Sequence, residues 1–558
     1  MTTTYRRDPI KTPRVSGLAM KAFVSALESP IGGMLLDKVT ADSGFLRFRS
    51  LDAGTASPLP PHLPHPSPLP STNTPHALAA TALTTDAGTH THGESVATFV
   101  GAYAEGANPV DVVTRIEAAI AASVAEGMNY FIARKPDELL RDAEASKVRH
   151  AAGKALSVLD GIPVVVKDEV DIKGFATTLG TNFRKAVADA DATLVARLRA
   201  AGALIVGKGN MNEIGINPIG LNPHWGVCRN PWNKAHITGG SSSASAATVA
   251  AGLAPISIGA DGGGSIRIPA ALCGVVGLKA TFGRIPETGI PPLCWTPGHA
   301  GPLGLRVADV AAAYAIVAGT DHQDVASLRQ PPPSLDGFAG DVDVRGLRIG
   351  INRDHFDDAD PDVVARCKDA VKALTDRGAV VVEIAPPDLN RILWSHATII
   401  LSEMATAMRD EVERDTSRFA WDSRTNLAIG GHFTATDYIH ALRHRHAMTL
   451  ELWQQLQSVD VIASPTTAST APAIPESTLP DGESNLPVTD ALMRFIRQGN
   501  LSGFPAISVP CGFDAAGLPV GFHLLARPWE EHVLLRLARV VEAASEQRTP
   551  KHRSRLLS

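Results

Sequence analysis

Three residues far apart in this 558-residue chain stand in contexts suited to acyl chemistry: Lys167, Ser241 and Ser265. Lys167 follows "IPVVV", a β-branched run that predicts a buried strand, and so sits at the strand's carboxyl end, where α/β sheets gather ligand and catalytic groups. A lysine there can simply reach solvent beside Asp168 and Glu169; a partly buried one can lose its proton near neutrality and act as a general base. Ser241 lies in "TGGSSSAS", where glycines permit unusual backbone and small residues open a helix. Ser265 ends "GADGGGS", whose three glycines leave successive N–H groups free to converge on one point. Such a nest of amides binds an anion, and one that exists only during reaction is the oxyanion of a tetrahedral intermediate. Neither "GxxxxGK[ST]" nor GxGxxG after a strand is present, which argues against a phosphate loop, and GxSxG is absent, which argues against a nucleophile elbow.

These residues need a scaffold, and from Gly161 onward the pattern alternates strand and helix. "GIPVVVKD", "ALIVGKG", "ISIGADG", "LRIGI", "AVVVEI", "VDVIASPT" and "FPAISVPCGF" read as strands. Between them fall helices such as "DATLVARLRAAG", "SASAATVAAGLAP" and "PDVVARCKDAVKALTDRG", and two long amphipathic ones lie between 385 and 455. The expected fold class is α/β: a mixed, mostly parallel central sheet flanked by helices on both faces. Upstream, "NPVDVVTRIEAAIAASVAEG" and "KPDELLRDAEASKVRHAAG" predict two further helices. Residues 15–39 show two short helical segments divided by "SPIGG", a helical hairpin, and a proline-rich stretch follows that reads as a linker or wrapping strand. The expected division is 1–75 for hairpin and linker and 76–558 for the main domain, with a catalytic core at about 105–320.

Composition excludes several classes. The net charge is −5 with 20% charged residues, and the basic ones are dispersed, so nucleic acid is not an expected partner. Five scattered cysteines without a CxxC pair or a His cluster predict reduced thiols, no metal and no cofactor. Lys21, Glu28 and Pro30 break the apolar N-terminal run, so neither a secretory signal nor a transmembrane segment is expected. On these grounds the expected location is cytoplasmic, with peripheral membrane contact through the hairpin left open.

Read together, "GIPVVVKDEVD", "TGGSSSASAA", "GADGGGSIRIPAALCGVVGLKATFGRIP" and "GNLSGFPAISVPCGFDAAGLPVGFHLLA" resemble the amidase signature family over about 105–543. Ala244 stands where that family often has glycine and Ala280 where it often has proline, neither a catalytic position. The resemblance implies a Ser-Ser-Lys triad: Ser265 as nucleophile, Ser241 as proton relay held by a cis peptide after Gly240, and Lys167 as base. It places an oxyanion hole at the backbone N–H groups of Gly262, Gly263, Gly264 and Ser265. Supporting roles are expected for Asp261 and Arg267, opposite charges able to pair across the loop, and for Ser242, which can bond the loop or cap the next helix. Asn210 and Asn212 read as turn formers, and His224, Trp225 and Cys228 carry no argued role. The flanking "VLDGIPVVVKDEVDI", "GKGNMNEIGINPIGLNPHWGVCRNPWN" and "ALESPIGGMLLDKV" resemble plant-type fatty acid amide hydrolases. That resemblance implies small-molecule substrates, acyl or aryl amides and N-acylethanolamines, with the hairpin covering an apolar channel lined by the helices around Trp394 and Phe433. Esters and carbamates would form the same kind of intermediate. Other readings of the chain are a glutaminase subunit of a tRNA-dependent amidotransferase and an inactive amidase-like binding protein; other uses of the hairpin are a homodimer interface and simple core packing.

Overall fold

The computed structural model describes residues 5, 7–8, 14–51, 74–84, 93–479 and 482–557. Most of the proline-rich stretch, residues 52–73, lies outside them. Eleven strands form one sheet: β1 (Phe131–Ala133), β2 (Pro163–Lys167), β3 (Leu204–Gly209), β4 (Ile256–Ala260), β5 (Val276–Lys279), β6 (Ala300–Gly304), β7 (Arg348–Ile351), β8 (Val380–Glu383), β9 (Val461–Pro465), β10 (Ala506–Phe513) and β11 (Pro519–Ala526), in the order β1-β3-β2-β4-β6-β5-β10-β11-β9-β7-β8. Every residue of β2, β3 and β4 is buried, as their β-branched and small-residue composition requires of strands covered on both faces.

The sheet is mixed, but it is not mostly parallel. Parallel pairing is confined to β3-β2-β4 and to β9-β7-β8, and the other six pairings are antiparallel. One cause is local. β10 and β11 are joined by a tight turn in which Gly517 N–H donates to Asp514 O at 3.0 Å with Gly517 at φ +80°, so the chain reverses without a crossover helix. β5 and β6, which counting strand–helix alternations did not reveal, put two more antiparallel strands at the centre.

At the N-terminus, α1 (Gly17–Leu27) and α2 (Gly32–Asp42) pack as two short helices. Gly32 lets them meet, because a Cβ there would fall 1.8 Å from Leu27 O. Behind the catalytic strands lie α3 (Ser243–Ala250) and α4 (Arg267–Cys273), both wholly buried; the Ala/Ser composition of α3 allows that close approach. α5 (Leu389–Ala407), α6 (Trp421–His432) and α7 (Ala435–Ser458) pack as a separate layer. α2 rests on that layer, where Leu36, Val39 and Phe45 pack with Trp394, Ile400, Ile429 and Phe433. Glu28 accepts from Arg424 Nε at 2.7 Å on the same contact. Among the described residues no helix is long and apolar enough to cross a membrane.

Candidate active site

β2 ends in Lys167, 1% exposed, and the loops after β3 and β4 bring the other chemistry to that end. Lys167 Nζ donates to Ser241 Oγ at 2.9 Å and to Ala260 O at 3.3 Å. Ser241 opens the segment leading into α3, and the Gly240–Ser241 peptide is cis. Gly240 cannot be larger, because a Cβ would lie 2.9 Å from Gly220 Cα and 3.0 Å from Asn217 O. Ser242 Oγ clasps the end of β4, donating to Ala260 O at 3.0 Å and accepting from Ala260 N–H at 3.3 Å, rather than capping α3. Its N–H donates to Ser265 O at 3.3 Å and so ties the two serine segments together.

Ser265 lines the same cleft as Lys167 and Ser241. Among the described residues no acceptor lies on the amides of Gly262, Gly263 or Ser265, and no hydrogen bond joins Ser265 Oγ to Ser241. Serine–base bonds that are long in an empty site tighten when substrate is bound. The Gly264 amide, expected beside the other three, is instead spent on Asp261 Oδ1 at 2.6 Å. The Asp261 carboxylate folds back over its own turn and draws in that N–H together with that of Ile266, at 3.1 Å.

Asp261 and Arg267 do pair, in the floor beneath the loop. Arg267 Nε and Nη2 donate to the carboxylate at 3.1 and 3.2 Å, and Asn500 Nδ2 adds a bond at 2.8 Å. Burial pushes the Asp261 carboxyl upward, but the Arg267 guanidinium and these donors outweigh it and hold the group well below the usual carboxylate range. A buried ion pair satisfied on every side is a rigid base, and removing one partner would strand the other charge.

Sequence reasoning did not single out several residues that the fold brings here. Glu169 Oε2 lies 2.6 Å from Lys167 Nζ; two residues apart at a strand end, the pair shares one face while Asp168 turns the other way toward Lys208 at 3.4 Å. His396 on α5 meets Gly262 O at 3.0 Å through Nε2. Burial pushes that imidazole down to about 4, so at neutral pH it is uncharged and Nε2 must carry the hydrogen it donates. Ile214, Leu293, Cys294, Ile400 and Met404 supply apolar lining to the same cleft, which holds about 20 Å³. Trp394 and Phe433 are not among the lining residues; they pack under the hairpin with Phe45, in a cluster that shares Ile400 with the cleft lining. Asn210 and Asn212 bind backbone carbonyls of nearby loops, and Trp225 Nε1 donates to Thr181 O. His224 pairs with buried Glu213. Among the described residues no cluster of His, Cys, Asp and Glu is arranged to hold a metal ion.

Comparison with known proteins identifies the family and the fold. The Amidase family model matches residues 113–535. A fatty acid amide hydrolase of Arabidopsis thaliana is 36% identical over 97% of this chain and 94% of its own length. A glutamyl-tRNA(Gln) amidotransferase subunit from Symbiobacterium thermophilum is 34% identical over 70% of this chain and 84% of its own. The solved native peptide amidase of Stenotrophomonas maltophilia superposes with a TM-score of 0.69 at 26% identity, covering 82% of this chain and 98% of the other. With the family model spanning most of the chain and the fold shared over 82% of it, the chain belongs to the amidase signature family of amide-cleaving hydrolases.

Proposed function

We propose that this protein hydrolyses apolar carboxylic amides, N-acylethanolamines and aryl amides among them, through an acyl-enzyme on Ser265. The observation that carries the reading is the 2.9 Å contact between Lys167 Nζ and Ser241 Oγ in the cleft that also holds Ser265 and is lined in part by Ile, Leu and Met side chains. Ser265 Oγ attacks the carbonyl carbon, its proton passes to Ser241 Oγ, and Ser241 passes its own to the neutral amine of Lys167. The new oxyanion is received by the free amides of Gly262, Gly263 and Ser265, donors that need no reorganisation. The same chain of hydroxyls run backward delivers a proton to the leaving nitrogen, the C–N bond breaks, and water then repeats the sequence on the acyl-enzyme. Esters and carbamates with the same apolar acyl side fit this scheme. The likeness to the plant fatty acid amide hydrolases along nearly their whole length supports the acyl class.

The test is intact-mass spectrometry after exposure to a serine-directed fluorophosphonate, for wild type, Ser265→Ala and Lys167→Ala, beside turnover of a panel of acyl, aryl and carbamate substrates and glutamine. One adduct on wild type, none on Ser265→Ala and turnover of the apolar substrates is the expected result. Equal labelling of Ser265→Ala removes the nucleophile assignment. Turnover of glutamine alone would assign the chain to ammonia transfer instead.

A further inference from the structure

The mechanism above needs a neutral Lys167 amine, yet Glu169 Oε2 lies 2.6 Å from Nζ, and a carboxylate at that distance favours the ammonium. With Ser241 Oγ and Ala260 O, Nζ faces three acceptors, one for each ammonium proton. Both residues line the cleft, at 1% and 7% exposure, away from bulk water. A buried pair of this kind holds its one shared proton in two ways with the same net charge: ammonium with carboxylate, or amine with carboxylic acid. The first form carries the penalty of two buried ions, and the second does not.

We propose that Glu169 is a proton depot that acts through Lys167, taking the ammonium proton so that the amine is free to accept the proton of Ser265. Resting on the Ser265–Ser241–Lys167 reading, the proton count closes. Nζ gives one proton to Oε2; the Ser265 proton then reaches Nζ through Ser241 as the C–O bond forms. Nζ returns it through Ser241 to the leaving nitrogen as the C–N bond breaks. Water repeats both transfers in deacylation, and Oε2 gives its proton back to Nζ once the carboxylic acid has formed. The pair carries one proton before and after each turnover, and none is exchanged with solvent.

Other charged and titratable groups face this pair. Asp168 is taken up by Lys208 on the far side of β2, and Lys208 is the second cation whose field reaches Glu169. Glu287 and Cys294, from the segment after β5, and Glu403, from α5, face the same region. Burial, with Asp324 and Glu169 adding negative charge, pushes Glu287 up to about 8, and burial raises the Cys294 thiol, with Glu169 contributing.

The test is kcat/KM against pH for wild type, Glu169→Gln, Glu169→Asp and Glu287→Gln on one soluble amide. Without the depot, Lys167 must release its proton to solvent first. In Glu169→Gln the acid limb therefore moves to higher pH by about one unit or more, with at least about a tenfold loss at pH 7 that closes at alkaline pH. Glu169→Asp keeps the wild-type limb at a reduced rate, and Glu287→Gln leaves the limb in place. A limb that moves to lower pH in Glu169→Gln means that Glu169 only stabilises the ammonium and overturns the proposal. A uniform loss at all pH values, or a limb that follows Glu287→Gln, overturns it as well. Ser265→Ala and Lys167→Ala run alongside separate the two levels: if either turns over like wild type, the underlying triad reading fails, whereas two inactive variants with an unshifted Glu169→Gln limb sink the depot alone.

Discussion

Replacing Gly264 by alanine should damage turnover far more than folding, and the structure gives the size of each term. Gly264 sits at φ +123°, and a Cβ there would lie 2.0 Å from Ile496 Cδ1 and 3.0 Å from Ile268 Cδ1. Holding an alanine in that backbone region costs about 1–3 kcal/mol. Ile496 is fully buried, and its side chain can yield only by repacking its neighbours, Leu492 and Phe495 among them. The cheaper relief is a turn of the loop, which would pull the Gly264 N–H from its 2.6 Å bond to Asp261 and carry the flanking amides of Gly263 and Ser265 with it. Loss of one oxyanion donor lowers kcat by about 10²–10³. The expected result with a chromogenic anilide is therefore a kcat at least about 10² lower with KM little changed, and fluorophosphonate labelling slowed to match. Adding Ile496→Ala removes the contact but not the dihedral, so the double variant should remain close to the single one. Gly262→Ala is the contrast: its Cβ would meet chiefly Cys294 Sγ at 2.5 Å, and in a Cys294→Ala background it should recover to within about threefold. Wild-type kcat in Gly264→Ala, or full rescue by Ile496→Ala, would refute the claim that this position needs glycine for its dihedral.

Two further outcomes can be measured. His396→Ala should lower the fluorophosphonate labelling rate by about 3–10-fold, the worth of one neutral hydrogen bond to Gly262 O, and His396→Gln should recover part of it; equal rates in both would show that the bond does not orient the loop. Asp422 is pushed up to about 7 by burial and then by the nearby Glu213 carboxylate. Its folded form binds more protons than its unfolded form between about pH 4 and 7, so its contribution to stability falls as pH rises through that window, by up to about 4 kcal/mol. Urea midpoints of wild type and Asp422→Asn should converge at pH 4 and separate toward pH 8 with the variant more stable, and parallel curves would contradict the assignment.

The candidate site was legible in the sequence where local pattern and residue type coincide. "IPVVVK" reads as a strand with a lysine at its end, and Pro163–Lys167 is such a strand, buried throughout; "GADGGGS" offers successive amides in one loop, which made it a candidate anion site. Where function depends on which of several local options is taken, the pattern was silent. Three glycines in a row do not say which amide Asp261 will claim, and that choice removed Gly264 from the expected set. His396 stands in a long amphipathic helix with no signal to separate it from a packing residue; only the approach of α5 to the loop after β4 brings it to Gly262 O.

By itself, then, the sequence determined most strand and helix segments and the buried character of the central strands, because each follows from pattern within about ten residues, and it singled out Lys167, Ser241 and Ser265 as candidates. Tertiary structure decided the order of the strands in the sheet, the apolar residues that α5 brings to the cleft and the packing of Trp394 and Phe433 away from it. These depend on the order in which strands are laid side by side and on how one helix layer meets the sheet. Such contacts join residues hundreds of positions apart, and in a single sequence nothing local encodes them.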